Sequence, residues 1–507
     1  MEKLHTLLHN LTNPQLKLLK VHLRYISIRK EPDTQLIKLA ELLIREKVEA
    51  PSLEFCSGAI YGKMNYPAIQ KLKSRLMNKI HQVLLLDHGM ENRGGEQDEL
   101  DRYVLLIRRK VTLYHTLLMG VGRRINLDGE SEEIIRLSKK YELFSVLCEQ
   151  LKYKKLLSGF RKGKKAFVRV NDDLMFYKRC NDVLDKATDY YHLAVINSDF
   201  SSNSDKKIYQ AFLRDSIAEL NEESRPLKSP LISYYIKNLE AMYYESSGNI
   251  EVTRDVCKEL LTIIESNISV CRKQRIAVVY NQLACCDIRL GDYGRALDNA
   301  QSAQKYFIRN SANYFSALDN QFLAHFYQYN FDKCKAICNS LLKNTREEVG
   351  DFRYAKYMIY QANVLFMLQR FKEVLQVLNL KMELTKDKIG WDFSIRVLTI
   401  QTLIALERYE DASRHVSGLI KHDALRPRDK IIYRILKMIE RQGFEESRLK
   451  EKLEVENRIL LSDKNCLWDP LSSELIPFEK WLSLQYKTSF QDVQYANAKE
   501  WSLVQNK

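Results

Sequence analysis

The sequence predicts an all-α chain of antiparallel helix pairs, and three observations carry that expectation. Its 17 glycines and 9 prolines in 507 residues amount to about 5%, against about 12% in average proteins, which leaves few positions for the tight turns and bulges of a sheet protein. Apolar residues return at three- and four-residue intervals over most of the chain, the spacing of one helix face. In the C-terminal half a turn followed by an aromatic residue recurs at a nearly constant interval, the mark of stacked supersecondary units. A hydrophobic fraction of 45% excludes the disordered and collagen-like classes.

Residues 1–90 read as a small basic helical unit. Asn13-Pro14 is a helix start, because a side-chain cap precedes a residue whose missing N–H the first turn does not need. Leu16, Leu19, Leu23 and Ile26 then share a face. A second helix, with Asp33 as its cap, buries Leu36, Leu39, Leu42 and Leu43. Tyr66-Pro67 opens a longer one whose apolar stripe is Ile69, Leu72, Leu76, Ile80, Val83 and Leu84. A short helix from Leu53 to Ile60, a turn at Gly62 and the following helix with Lys71, Lys73, Arg75 and Lys79 have the spacing of a helix-turn-helix. Residues 88–100, with paired glycines, dense charge and no periodicity, read as a linker.

From Asp101 onward almost everything reads as amphipathic helix, broken near 126–131, 158–165, 197–206 and 222–231. A divergent region of helix pairs at 101–230 is expected to pass into repeats at 231–440, with capping helices and a tail at 441–507. The repeat signature is Leu290-Gly291-Asp292-Tyr293, Tyr329-Asn330-Phe331, Gln369-Arg370-Phe371 and Glu407-Arg408-Tyr409, whose aromatics lie 38, 40 and 38 residues apart. Three residues on stand Ala296, Cys334, Val374 and Ala412; seven on stand Ala300, Cys338, Leu378 and Val416. A fainter copy has Ile250 after Ser247-Gly248-Asn249, with Cys257 seven residues later. In physical terms the turn reverses the chain, Asp292 or Asn330 caps the next helix, the aromatic wedges between the two helices, and the small residue lets them approach. Such pairs cannot bury themselves alone and must stack.

The segment from Ala277 to about Asn310 resembles the tetratricopeptide repeat: Tyr280, Leu283, Ala284, Gly291, Tyr293, Ala296 and Ala303 stand at that family's aromatic, Leu, small, Gly, Tyr, Ala and Ala positions. It departs at Asp287 and lacks the terminal proline, and the other copies have a longer period. The whole chain is also similar to the large tetratricopeptide-type proteins of Bacteroidota. The resemblance implies a right-handed superhelical array of helix pairs, an α-solenoid, holding a peptide in its groove. The family's groove positions fall on Asn281 and Arg289, and by weaker alignment on Asp319, Asn320, Tyr327, Lys356, Asn363 and Gln401. Asn320 and Lys356 match repeats that grip a C-terminal carboxylate, whereas Asn281, Cys285 and Tyr360 depart from that pattern.

Charge is unevenly spread. Residues 1–170 carry 32 Lys+Arg against 19 Asp+Glu, and the remainder 48 against 46, within a net charge of +15. Any polyanion contact is therefore an N-terminal property. The densest cationic run includes Arg161, Lys162, Lys164 and Lys165, a second candidate nucleic-acid contact beside the basic helix. Ser158-Gly159 to Lys165 lacks the spacing and the hydroxyl residue of a phosphate-binding loop, and Gly120-Val121-Gly122 lacks the third glycine of a dinucleotide fingerprint. Ten cysteines form no CxxC pair and read as small core fillers, Cys334 and Cys338 included. No nucleophile finds a partner, so no catalytic residue, cofactor or metal is expected. With no export signal and no apolar run of membrane length, the chain is expected to be cytoplasmic, with a protein or peptide partner and no membrane. The function expected is a non-enzymatic adaptor or scaffold; the alternative is a transcriptional regulator in which the array controls an N-terminal DNA-binding unit.

Overall fold

A computed structural model of the chain describes residues 1–25, 34–46, 49–86, 99–120, 127–198, 203–343, 351–379, 390–419, 425–444 and 450–486. The linker expected at 88–100 lies outside these up to residue 98, as do Ile26 and the Asp33 cap. The described residues are all-α, with 23 helices and no strand among them. The chain divides into two compact units, residues 1–120 and 121–507.

The first unit comprises α1 (Glu2–His9), α2 (Asn13–Tyr25), α3 (Thr34–Arg45), α4 (Leu53–Tyr61), α5 (Tyr66–Leu86) and α6 (Glu99–Gly120). α5 is its axis: α1, α2, α3 and α4 all pack against it. The expected stripe supplies that contact, with Ile69, Leu72, Leu76, Ile80 and Val83 buried in one cluster with Leu19, Leu39 and Leu43. The α4–α5 turn is tightly specified. Ser52 caps α4 by accepting from the Phe55 N–H, and Gly62 ends it at φ 75°, a left-handed conformation that costs other residues energy. Buried Ser57 then pins the turn, donating to the Lys63 carbonyl at 3.1 Å and accepting from the Asn65 N–H at 2.8 Å.

The second unit opens with α7 (Asp128–Lys140), α8 (Phe144–Lys162), the 33-residue α9 (Lys164–Ile196) and α10 (Asn203–Ser224). The break expected near 158–165 shrinks to one residue, Gly163, at φ 80°. There follow the pairs α11 (Pro230–Ser246) with α12 (Ile250–Ser266), α13 (Lys273–Arg289) with α14 (Tyr293–Tyr306), α15 (Ala312–Tyr327) with α16 (Phe331–Leu342), α17 (Asp351–Met367) with α18 (Phe371–Leu378), and α19 (Trp391–Ala405) with α20 (Tyr409–Ser417). The chain then continues through α21 (Pro427–Arg441), α22 (Lys450–Ser462) and α23 (Phe478–Tyr486). From α11 to α23 each helix packs on its neighbour in chain order, and first helices also touch one another, α13 on α15 and α17 on α19.

One turn is repeated throughout. Gly248, Gly291, Tyr329, Gln369 and Glu407 take φ between 57° and 78°, and the next residue donates its N–H to the carbonyl five positions back, as Asp292 does to Asp287 and Arg408 to Leu403, both at 2.9 Å. The preceding helix thereby satisfies carbonyls its end would leave open, and the next helix starts at once. Asp292 caps α14 by accepting from the Arg295 N–H at 3.2 Å. Asn330 makes no such cap; its amide turns back to Gln328 at 3.2 Å. The aromatics open each second helix in two settings: Phe331 and Phe371 pack back on Phe326 and Phe366 of their own pairs, whereas Tyr293 packs on Tyr327 of the next pair and the more exposed Tyr409 on Phe444. Ala296, Cys334, Val374 and Ala412 are fully buried between helices, as are Ala300 and Val416.

The same turn appears where no copy was expected. Glu142 at φ 52° and Leu143, whose N–H bonds the Ser138 carbonyl at 2.9 Å, lead into Phe144, with Leu147 and Leu151 buried three and seven residues on.

Candidate functional site

The first helices of successive pairs present a face to which the chain applies its own residues 466–486. This segment is irregular through residue 477 and then forms α23. Two arginines anchor it. Arg289, at the end of α13, donates from Nε and Nη2 to the two carboxylate oxygens of Asp469, both at 3.2 Å, and from Nη1 to Glu245 of α11 at 2.7 Å. Arg428, on α21 and buried, forks onto Glu474 at 2.7 and 2.8 Å, bonds Glu479, and donates to the Cys466 carbonyl at 2.7 Å. Desolvation disfavours the charge on Arg428, but the two carboxylates outweigh it and hold its pKa above the usual value; burial raises that of Glu479, against the pull of Arg428.

Between the anchors the contacts are specific. The Tyr327 hydroxyl donates to the Pro470 carbonyl at 2.7 Å, and its ring meets Trp468 edge-on. Ser473 shares a 2.8 Å hydrogen bond with Ser394 and reaches the Gly390 carbonyl at 3.2 Å. Lys480 donates to the Tyr329 hydroxyl at 3.1 Å. Leu475, Ile476, Phe478, Trp481, Leu482 and Tyr486 are buried in the apolar cluster that runs from Ile288 through every later pair.

The expected groove residues separate into three groups. Arg289 and Tyr327 hold the segment directly, while Asn363 and Gln401, both buried, line a narrow cavity closed by Ser473, Glu474, Leu475 and Ile476. Asn281 and Asn320 instead join α13 to α15. The Asn320 amide donates to Asn281 Oδ1 at 2.9 Å and approaches Cys285 Sγ at 3.3 Å, and Asn281 donates to Ser316 at 3.1 Å. Lys356 donates to Asp319 at 2.7 Å and sits over the Tyr360 and Trp391 rings. Burial raises the Asp319 pKa despite that lysine. Sequence reasoning missed Arg428, Glu474 and Glu479, whose partners lie 38 to 51 residues apart outside any repeat column.

Beside the Arg289 anchor the face stays open. A cleft of about 710 Å³ has Tyr209, Tyr293 and Trp468 as aromatic walls and Lys206, Glu245, Arg289, Lys464 and Asp469 as polar ones. Its volume falls within the roughly 300–1,000 Å³ range of ligand pockets.

The two basic candidates differ in setting. On α5, Lys71 and Arg75 lie on the exposed edge, Lys73 is half-buried, and Lys79 leans on His22 at 3.4 Å, which also bonds Gln82 at 2.9 Å. At the α8–α9 turn Arg161 donates from Nη1 to both carboxylate oxygens of Asp128, at 2.6 and 2.9 Å, while Lys162, Lys164 and Lys165 are exposed. The ten cysteines are free thiols. Burial pushes Cys285 and Cys338 up to about 12, which keeps both protonated and unreactive. Among the described residues no helix is long and apolar enough to cross a membrane.

No family model matches the chain, and no curated protein matches it.

Proposed function

We propose that this protein is a non-enzymatic adaptor whose helix pairs stack as a tetratricopeptide-like superhelix and hold a segment of a partner protein on the face of the first helices. One observation carries the reading. Residues 466–477, an irregular stretch of chain, are bound along that face by Arg289, Tyr327, Ser394 and Arg428 through backbone carbonyls, carboxylates and hydroxyls. These are the contacts by which a helical array recognises an extended peptide. The open cleft beside Asp469 is where a second segment would lie, its aromatic walls supplying apolar area and Lys206 and Lys464 a preference for acidic residues. The test places a photo-crosslinking residue at the exposed Leu467 of the full chain in its native cell. A discrete protein adduct that disappears on Lys206→Glu with Lys464→Glu is expected. Absence of any adduct, or one indifferent to both changes, overturns the reading.

A second reading, a regulator that contacts DNA through α5, is favoured by the pinned α4–α5 turn and the exposed Lys71 and Arg75. It requires the full chain to bind duplex DNA at low salt and to lose affinity on Lys71→Glu with Arg75→Glu.

A further inference from the structure

The α8–α9 turn carries a charge and exposure pattern that neither reading uses. The 22 residues from Gln150 to Asn171 contain eight lysines and arginines and no aspartate or glutamate. Lys154 and Arg161 are neutralised from outside the run, by Glu132 and Asp128. Lys162, Lys164, Lys165 and Arg169 bracket Gly163 and are all exposed. Apolar side chains stand out between these cations. Near its start α8 buries Phe144, Leu147 and Leu151, but toward the turn the apolar residues face solvent: Leu156 is 52% exposed and Phe160, four residues on and on the same face, 88%. A phenylalanine this exposed, at the tip of a hairpin held closed by the approach of Gly159 to the Phe167 ring, contributes nothing to the fold of its own unit.

We propose that this tip is a membrane-surface contact, with Phe160 and Leu156 entering the interfacial layer of an anionic bilayer and Lys162, Lys164, Lys165 and Arg169 lying at the level of the lipid phosphates. An apolar end ringed by cations matches that interface in both respects, since the acyl boundary takes the hydrophobic side chains and the anionic headgroups the charge. Nucleic acid would use the cations but has no place for the aliphatic Leu156. The expectation of no membrane partner rested on the absence of an export signal and of an apolar run of membrane length, and neither that nor the absence of a spanning helix among the described residues bears on a contact of this depth.

The test is co-sedimentation of the full chain with vesicles of phosphatidylcholine mixed with phosphatidylglycerol, and of phosphatidylcholine alone. Binding to the mixed vesicles that weakens with salt is expected, with roughly tenfold or greater loss on Lys162→Glu with Lys164→Glu and a comparable loss on Phe160→Asp. None of these side chains is buried, so circular dichroism of the variants should match that of the parent. Phe160→Trp should add a blue-shifted emission component on the mixed vesicles only. No sedimentation with the mixed vesicles, equal sedimentation with both kinds, or a Phe160→Asp variant that binds as well as the parent overturns the proposal. So does retention on duplex RNA or DNA that depends on the lysines but not on Phe160.

Discussion

Lys356 and Asp319 show how a buried charge constrains a single position. The Asp319 carboxyl is largely removed from water and its pKa is raised by that burial; the 2.7 Å contact with Lys356 opposes the rise. A raised carboxyl binds its proton more tightly folded than unfolded, so its contribution is present at low pH and is lost as pH climbs through the folded pKa. Removing the lysine deepens that loss. Lys356→Met should therefore cost little below the ordinary carboxylate range and roughly 2 kcal/mol at neutral pH, read from urea denaturation at the two pH values. Asp319→Asn leaves the Lys356 ammonium, which is the more exposed partner and keeps the Tyr360 and Trp391 ring faces, and should cost less than Lys356→Met at neutral pH. A Lys356→Met penalty that is flat with pH would show that the pair acts through packing alone.

At the scale of the element, the recurring turn is what the sequence made legible and also where its legibility ended. The turn needs one left-handed residue followed by the start of the next helix, and a glycine announces it, as Gly291 does. Where Tyr329, Gln369 or Glu407 takes that conformation, only the aromatic and the small residue behind it reveal the copy. At Glu142 the aromatic remains as Phe144, but the small residues behind it are replaced by Leu147 and Leu151, which read as any amphipathic helix, so that turn was missed. The same geometry makes a stability prediction. Gln369 and Glu407 are exposed, and their left-handed backbones cost about 1 kcal/mol or more relative to glycine. Gln369→Gly and Glu407→Gly should each raise stability by about 0.5–1 kcal/mol, and Gly291→Ala should lower it by about 1 kcal/mol, all measured by thermal or chemical unfolding. Tyr329→Gly should gain nothing, because it also gives up the hydroxyl that Lys480 bonds.

Across the second unit, the segment from Cys466 to Tyr486 ties together helices that share no sequence neighbourhood. Arg289 and Asp469 are 180 residues apart. No period or motif predicts such a contact, because each partner is an ordinary charged residue in its own surroundings; only the burial of six apolar residues in α23 and the stretch before it marks the segment as structural. Arg428→Met should cost about 3–5 kcal/mol, since it strands the carboxylates of Glu479 and Glu474. Hydrogen exchange should show residues 475–486 opening together with α19 and α21 as one cooperative unit. Exchange of the segment at the rate of a frayed end would show that it rests on the array without bracing it.

Residues 466–486 are also synthesised after every helix they cover. While a ribosome makes the chain, α13 to α21 emerge with a continuous apolar strip bare, and the side chains that will shield it arrive last. Nascent chains halted before Trp468 should accordingly be retained by holdase chaperones and released once the segment is translated, so the repeats depend on assistance in proportion to the time that elapses before their own cover is made.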